Sequence, residues 1–179
     1  LLVAEDPDKV RVSQGARCPA HAPVRTYDVT AINVEITVNR FGDFYPGYMY
    51  ALTENVAGVR EEEAKNKTAR ESDDPSFAEG AVSNGLQGDL IQPLVIRANQ
   101  GDCVKMTLRN QMEGEAGSLH IQASSMVVSA SGKAATTTNP ESVLEPGKSV
   151  EMEWYIHPGT QEGVRQFHTF SNDRELTVM

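Results

Sequence analysis

The chain has 179 residues and a formal net charge of -9 at neutral pH. This length suits one domain with a sizeable core. The acidity argues against nucleic acid or an anionic membrane as a partner, because the charged residues form no basic stripe. No apolar run approaches the roughly 20 residues that span a bilayer, so no transmembrane segment is predicted. The sequence starts at Leu1, as a processed or trimmed chain would, and we predict a secreted, periplasmic or extracellular location.

The chain contains two cysteines, Cys18 and Cys103, which lie far apart in the sequence. In an oxidising compartment, a disulfide between them would close a large loop and stabilise the fold by about 4 kcal/mol. We favour this disulfide over two buried thiols. The spacing of Cys18 and His21 is also that of some metal ligands. No second pair lies nearby, so we favour an incidental pairing there.

The first half of the chain combines an arm, a strand and an aromatic segment. Residues 1–24 are rich in proline and glycine and predict an N-terminal arm. Residues 25–40 are rich in β-branched residues and predict a strand whose hydrophobic pattern changes phase near Ala31, as at a bulge or bend. Residues 41–50 contain five aromatic residues with proline and glycine. We interpret them as a turn region that packs against the domain, in preference to a recognition surface.

Residues 53–70 form the one predicted helix. Thr53 is a suitable capping residue, and the segment is rich in Glu, Lys and Ala. Residues 71–88 are polar and broken by glycine and proline, which predicts a long loop. Residues 41–88 are therefore predicted to be an insertion into the domain.

The second half of the chain is dominated by short strand patterns. Residues 89–122 predict two strands around a tight turn and a third strand that carries His120. Their apolar residues alternate with polar ones at Leu94, Ile96, Ala98, Val104, Met106 and Leu108. Residues 124–130 and 149–156 are further strand candidates, and His168 lies in a last one. Many short strands separated by turns predict an antiparallel β-sandwich.

Four stretches of the sequence together resemble a known family. They are, in order, QPLVIRANQGDCVKMTLRN, SLHIQ, LEPGKSVEMEWYI and GVRQFHTFSNDRELTVM. They resemble the N-terminal cupredoxin domain of multicopper oxidases, especially the bacterial laccase-like and manganese-oxidase-like members, from about Tyr27 to the end. The resemblance implies an all-β, cupredoxin-like Greek-key β-sandwich with one helical insertion. Residues 25–179 would form this domain, without its last strand.

The resemblance also implies copper ligands. In that family the domain supplies two His-x-His pairs to a trinuclear copper cluster. Residues i and i+2 of a strand share a face, about 6.6 Å apart, so two imidazoles can reach two ions, and neutral imidazole suits copper. By position His120 corresponds to a type 2 copper ligand and His168 to a type 3 ligand. Gln122 and Phe170 replace the second histidine of each pair, which implies an incomplete cluster with degenerate motifs.

Two functional hypotheses follow. The family's remaining ligands come from a downstream domain with a His-Cys-His motif, which this sequence lacks, so we expect the chain alone to be inactive. It is either an N-terminal domain or fragment of a multicopper-oxidase-like protein, which needs further domains or a partner chain, or a non-catalytic structural or assembly protein that has lost its cluster. A third interpretation gives both histidines only hydrogen bonds in the core. The missing strand would leave an open sheet edge, which predicts an oligomer or assembly.

Overall fold

The computed structural model describes residues 18–38, 43–72, 88–121, 128–131, 133–135 and 140–169. Within these ranges, short 3-10 turns at Thr53–Asn55 and Pro140–Ser142 accompany eight strands and one helix. In chain order these are β1 (Val24–Thr37), β2 (Phe44–Leu52), α1 (Val56–Glu71), β3 (Cys103–Asn110), β4 (His120–Ile121), β5 (Ser129–Ala130), β6 (Lys133–Ala134), β7 (Ser149–Tyr155) and β8 (Phe167–His168).

The strands form two sheets. The larger sheet has the order β2-β1-β3-β7-β5-β6, and the smaller one pairs β4 with β8. β1 and β3 run parallel, whereas their other neighbours are antiparallel. The predicted antiparallel sandwich is therefore mixed, which is possible because the long crossover between β1 and β3 contains α1. The predicted all-β class with one helical insertion is confirmed, since the described residues form two β-sheets and one helix.

The main core lies between the two sheets. From the large sheet it receives the alternate residues Val104, Met106 and Leu108 of β3. From the small sheet it receives Ile121 of β4 and the preceding Leu119. Burying one such side chain contributes about 1.5–3 kcal/mol, so this core is the main force that holds the small sheet against the large one.

β1 is buried on both faces. Val29 and Ala31 belong to the main core, whereas Ile32 and Val34 belong to a second core with Val59 of α1. The pairing register of β1 with β2 runs unbroken over the whole of β2. No bulge therefore interrupts β1 near Ala31, and the prediction of a bulge there is wrong. The hydrophobic pattern changes phase because the helix covers the opposite face of the strand from that point on.

The aromatic segment predicted as a turn is a strand from Phe44 onward. Tyr48 and Tyr50 are buried in the main core, so the packing interpretation is confirmed for these two rings. Pro46 and Gly47 suggested a turn, but β2 is at the edge of the sheet. An edge strand tolerates proline, because one side of its backbone needs no partner.

The predicted helix is confirmed, with a different start. α1 begins at Val56, after a 3-10 turn, and its N-cap residue Asn55 makes no side-chain capping bond. The Thr53 hydroxyl instead donates to Asp28 Oδ1 over 2.8 Å. The Glu62 carboxylate accepts the backbone N–H of Leu90 over 2.6 Å, which attaches the following segment to the helix.

Residues 94–98 do not form the predicted strand. Residues 93–99 run without a turn or bend, yet they pair with no strand in the described ranges. Leu94 and Ile96 pack against the main core, as the alternation indicated. The pattern thus predicted which side chains face inward, and only the strand pairing is missing.

The carboxylate of Asp102 makes the stability of the fold depend on pH in the acidic range. Its buried carboxylate accepts the backbone N–H of Asn99 over 2.9 Å and Arg25 Nε over 3.0 Å, and these bonds lower its pKa. Since the folded pKa lies below the unfolded value of about 3.9, the unfolded chain binds the proton first and stability falls as the pH drops through that range. We expect Asp102→Asn to be less stable at neutral pH and to lose less of its stability on acidification, in urea unfolding at several pH values. A pH dependence equal to that of the exposed control Glu145→Gln would contradict this.

Candidate metal centre

The structure brings His120 and His168 together. β4 and β8 are antiparallel, and His120 lies directly opposite His168 in their register. The two ring centres are 5.5 Å apart, with an angle of 72° between the ring planes. Both side chains are half-buried. Two histidines that are distant in the sequence therefore form one local pair.

Strand alternation explains why both imidazoles point the same way. Leu119 and Ile121 face the main core, so His120 between them lies on the opposite face of β4. In β8, Phe167 packs against the same core, with its ring centre 5.5 Å from that of Tyr50. Residues directly opposite in an antiparallel pair share a face. Both imidazoles therefore lie on the outer face of the small sheet.

Buried polar contacts fix the ends of this short strand pair. The hydroxyls of Ser118 and Thr169 lie 3.0 Å apart, and both residues are fully buried. The Tyr50 hydroxyl donates to the backbone carbonyl of Ser118. These bonds connect the start of β4 to the end of β8 and to the large sheet, so the backbone beneath the two imidazoles is held from both sides.

Asn110 holds the loop that leads into β4. Its side-chain Nδ2 donates to the carbonyls of Glu115 over 2.8 Å and Leu144 over 2.7 Å. Its Oδ1 accepts the backbone N–H of Met112 over 2.8 Å. Asn110 is 1% exposed, so these bonds are shielded from water. Sequence reasoning missed this residue, since an asparagine after a strand signals only a turn.

The surroundings of His120 favour the neutral imidazole. Burial is the largest cause that lowers its pKa, and the nearby His168 lowers it further, while a hydrogen bond with the Ala135 backbone opposes them. Because this bond raises the pKa, it is one in which an imidazole N–H donates to the Ala135 carbonyl. The other ring nitrogen then keeps its lone pair. A neutral ring whose second nitrogen donates to a carbonyl is the usual state of a metal-binding histidine.

The separation of the rings fits a shared metal ion. Two imidazoles bound to one ion at metal–nitrogen distances of about 2 Å hold their ring centres within roughly 6 Å of each other, and the observed centres are 5.5 Å apart. In the described ranges, the one group of three or more His, Cys, Asp or Glu with close ligand atoms is Cys18, Cys103 and Glu153, and its two sulfur atoms are bonded to each other. It does not include the histidines, so the pair supplies two ligands.

The remaining predicted residues have different outcomes. Cys18 and Cys103 form the predicted disulfide, with their Cα atoms 5.7 Å apart. The alternative in which Cys18 and His21 bind a metal is therefore wrong, because the Cys18 sulfur is already bonded. Gln122 and Phe170, predicted to occupy lost ligand positions, lie outside the described residues.

Comparisons with known proteins give structural neighbours only. No protein-family model matches the chain, and no curated protein matches its sequence significantly. Among solved structures it is similar to a copper nitrite reductase from Nitrosomonas europaea, with a TM-score of 0.49 and 14% identity over 85% of this chain and 36% of that one. It is also similar to a multicopper oxidase, with a TM-score of 0.47 and 14% identity over 86% and 38% of the two chains. A multicopper oxidase from Campylobacter jejuni, described as a metallo-oxidase, has a TM-score of 0.35 and 12% identity over 86% and 28%.

The chain thus spans less than two fifths of each of these three structures. Within the described residues, the helix is too short and too polar to cross a membrane.

Proposed function

We propose that this chain is a copper-binding, cupredoxin-like domain of a multicopper-oxidase-like protein and that His120 and His168 are its copper ligands. The observation that carries this proposal is the direct pairing of the two histidines across β4 and β8. Copper would supply one-electron redox chemistry there. The chain's own contribution is to hold two imidazoles on one face, with His120 neutral and oriented by the Ala135 carbonyl.

The number of ligands supports dependence on other parts of an assembly. Copper takes additional nitrogen, oxygen or sulfur ligands beyond two imidazoles, and the described residues place no third side chain of the searched types with the pair. We therefore propose that further ligands come from another domain or a partner chain, and that oxidation requires that complete site. The disulfide favours a secreted or periplasmic location, because such bonds persist in oxidising compartments.

The same ligand count favours a second candidate, a cupredoxin-like structural or assembly domain without copper. In that case the His120 ring has a structural role through its bond to Ala135 and its contact with His168. The two candidates differ in copper affinity. They also differ in what removing one imidazole does, because only a ligand substitution weakens metal binding.

Copper titration by calorimetry tests the proposal. We expect one copper ion per chain, and we expect His120→Gln and His168→Gln each to weaken its binding by about tenfold or more, equivalent to about 1.4 kcal/mol. The matched control is His157→Gln, since His157 lies in a turn, where its Nδ1 accepts the Gly159 N–H over 3.0 Å.

The pH dependence of copper affinity provides an independent check, because copper binds only the unprotonated imidazole rings. Affinity should fall as the pH drops below about 6.5, with the His120 contribution retained to lower pH because its pKa is lowered. Absence of binding, or binding that neither ligand substitution weakens, would support the structural candidate.

A further inference from the structure

An unpaired extended segment lies on the surface of the domain. Residues 94–98, called here the edge segment, run without a bend and form no backbone hydrogen bond to any strand within the described residues. Leu94 and Ile96 face the main core. Val95 between them is 69% exposed. The edge segment therefore has the pattern of a β-strand but pairs with none of the strands in the described part of the chain.

One edge of this segment is defined by a contact with β1. The Tyr27 hydroxyl donates to the carbonyl of Arg97 over 2.7 Å. Along an extended chain the N–H and C=O groups of successive residues point to opposite edges. The backbone groups of Val95 and Arg97 therefore face the Tyr27 side. Those of Leu94, Ile96 and Ala98 face the other edge, where a second strand could pair.

An apolar cavity of about 810 Å³ lies beside the edge segment. The core residues Leu119, Ile121 and Trp154 contribute to its lining. Val164, which is 91% exposed, lies at the same cavity. Exposed aliphatic residues around an apolar cavity are typical of an interaction surface, and an unpaired strand edge is the usual place for another chain to bind.

We propose that the edge segment pairs in antiparallel register with the edge segment of a second copy of this chain, about a twofold axis at Ile96. This register places Ile96 opposite its own counterpart and Leu94 opposite Ala98, so the inward face is apolar throughout. Val95 lies opposite Arg97, whose alkyl stem can cover it. The single charge of the segment thus meets no like charge, and the segment is self-complementary, as an isologous interface requires.

Substitution of Val95 tests this register, because the register predicts which charged residue at position 95 weakens the dimer and which strengthens it. Val95→Lys places an ammonium opposite the cationic Arg97 of the second copy, and the symmetry repeats this repulsion on both sides of the axis. Val95→Glu creates two opposite-charge pairs instead. The overall charge of -9 predicts the reverse order, because added negative charge opposes association between acidic chains and added positive charge assists it.

Sedimentation velocity over a concentration series measures the outcome. We expect dimers of the unmodified chain, a dissociation constant raised severalfold by Val95→Lys and lowered by Val95→Glu, and recovery in the double variant Val95→Lys/Arg97→Glu. Circular dichroism checks that each variant is folded, and Val95 is suitable for this because its side chain is exposed.

A chain that stays monomeric at all concentrations would overturn the proposal. A dimer whose dissociation constant is unchanged in all three variants forms through another surface, and this result would also overturn the proposal. The proposal would also be overturned if Val95→Glu weakened the dimer and Val95→Lys strengthened it, because that order is the one expected from the net charge of the chains alone. The inference does not depend on copper, and its failure would leave the histidine site untouched.

Discussion

Removing the Cys18–Cys103 disulfide should lower the free energy of unfolding by about 4 kcal/mol. The bond links residues separated by 85 positions, and the chain-entropy cost of opening such a long loop is large. Cys103 is the first residue of β3 and is completely buried, so the bond anchors the segment before β1 to the centre of the large sheet. Urea unfolding with and without a thiol reductant measures the difference.

Two cysteine variants separate the cross-link from the packing around it. Cys18→Ser removes the bond at a half-buried position and should reproduce the effect of reduction. Cys103→Ser also places a hydroxyl in the core and should cost more. Because the loss acts mainly on the unfolded chain, the dependence of stability on urea should steepen as that chain expands. A change below about 1 kcal/mol on full reduction would show that this loop-closure argument is wrong.

Asn110→Ala should destabilise the domain by about 3 kcal/mol. The substitution removes three side-chain hydrogen bonds, two to the carbonyls of Glu115 and Leu144 and one from the N–H of Met112. The Leu144 carbonyl keeps its bond from the Gly117 N–H, so the cost is that of three lost hydrogen bonds, at about 0.5–1.5 kcal/mol each. Since the affected loop leads directly into β4, copper affinity should fall as well. Thermal unfolding and the copper titration report the two effects.

A charged side chain of the same shape, aspartate, tests the same role of Asn110. Asn110→Asp keeps the acceptor for Met112 but turns a carboxylate toward two carbonyls, so at neutral pH it should be at least as destabilising as Asn110→Ala. Acidification should partly restore it, because a protonated carboxyl can donate one bond again. The control is Asn33→Ala, which removes one bond, from the Glu113 N–H to Asn33 Oδ1, and should cost about 1 kcal/mol. Equal effects at both positions would contradict the role assigned to Asn110.

The local patterns predicted the elements better than they predicted the pairing. β3 and β7 follow from their own alternation, and α1 follows from its Glu, Lys and Ala content, since these signals depend on neighbouring residues only. The phase change in β1 has a non-local cause, because α1 packs on one face of a strand that the main core already covers on the other. Residues 94–98 show the same limit: alternation indicates a buried side, while pairing depends on which strand lies next to it.

The candidate site shows a similar division. The resemblance selected His120 and His168, and in the structure they lie opposite each other. The resemblance could not predict the role of Asn110 or the contact between Ser118 and Thr169, because both depend on loops that the fold brings together. The bond to the Ala135 carbonyl involves a backbone group that any residue type could supply. No residue pattern identifies it.

Pulsed electron paramagnetic resonance of the copper(II)-loaded domain tests the histidine site most directly, because it detects the remote nitrogens of coordinated imidazoles. We expect the modulation of two imidazoles in the unmodified chain and of one in either His120→Gln or His168→Gln. His157→Gln should leave the spectrum unchanged. A spectrum without imidazole modulation, or one that neither ligand substitution alters, would contradict the assignment of this pair as a copper site.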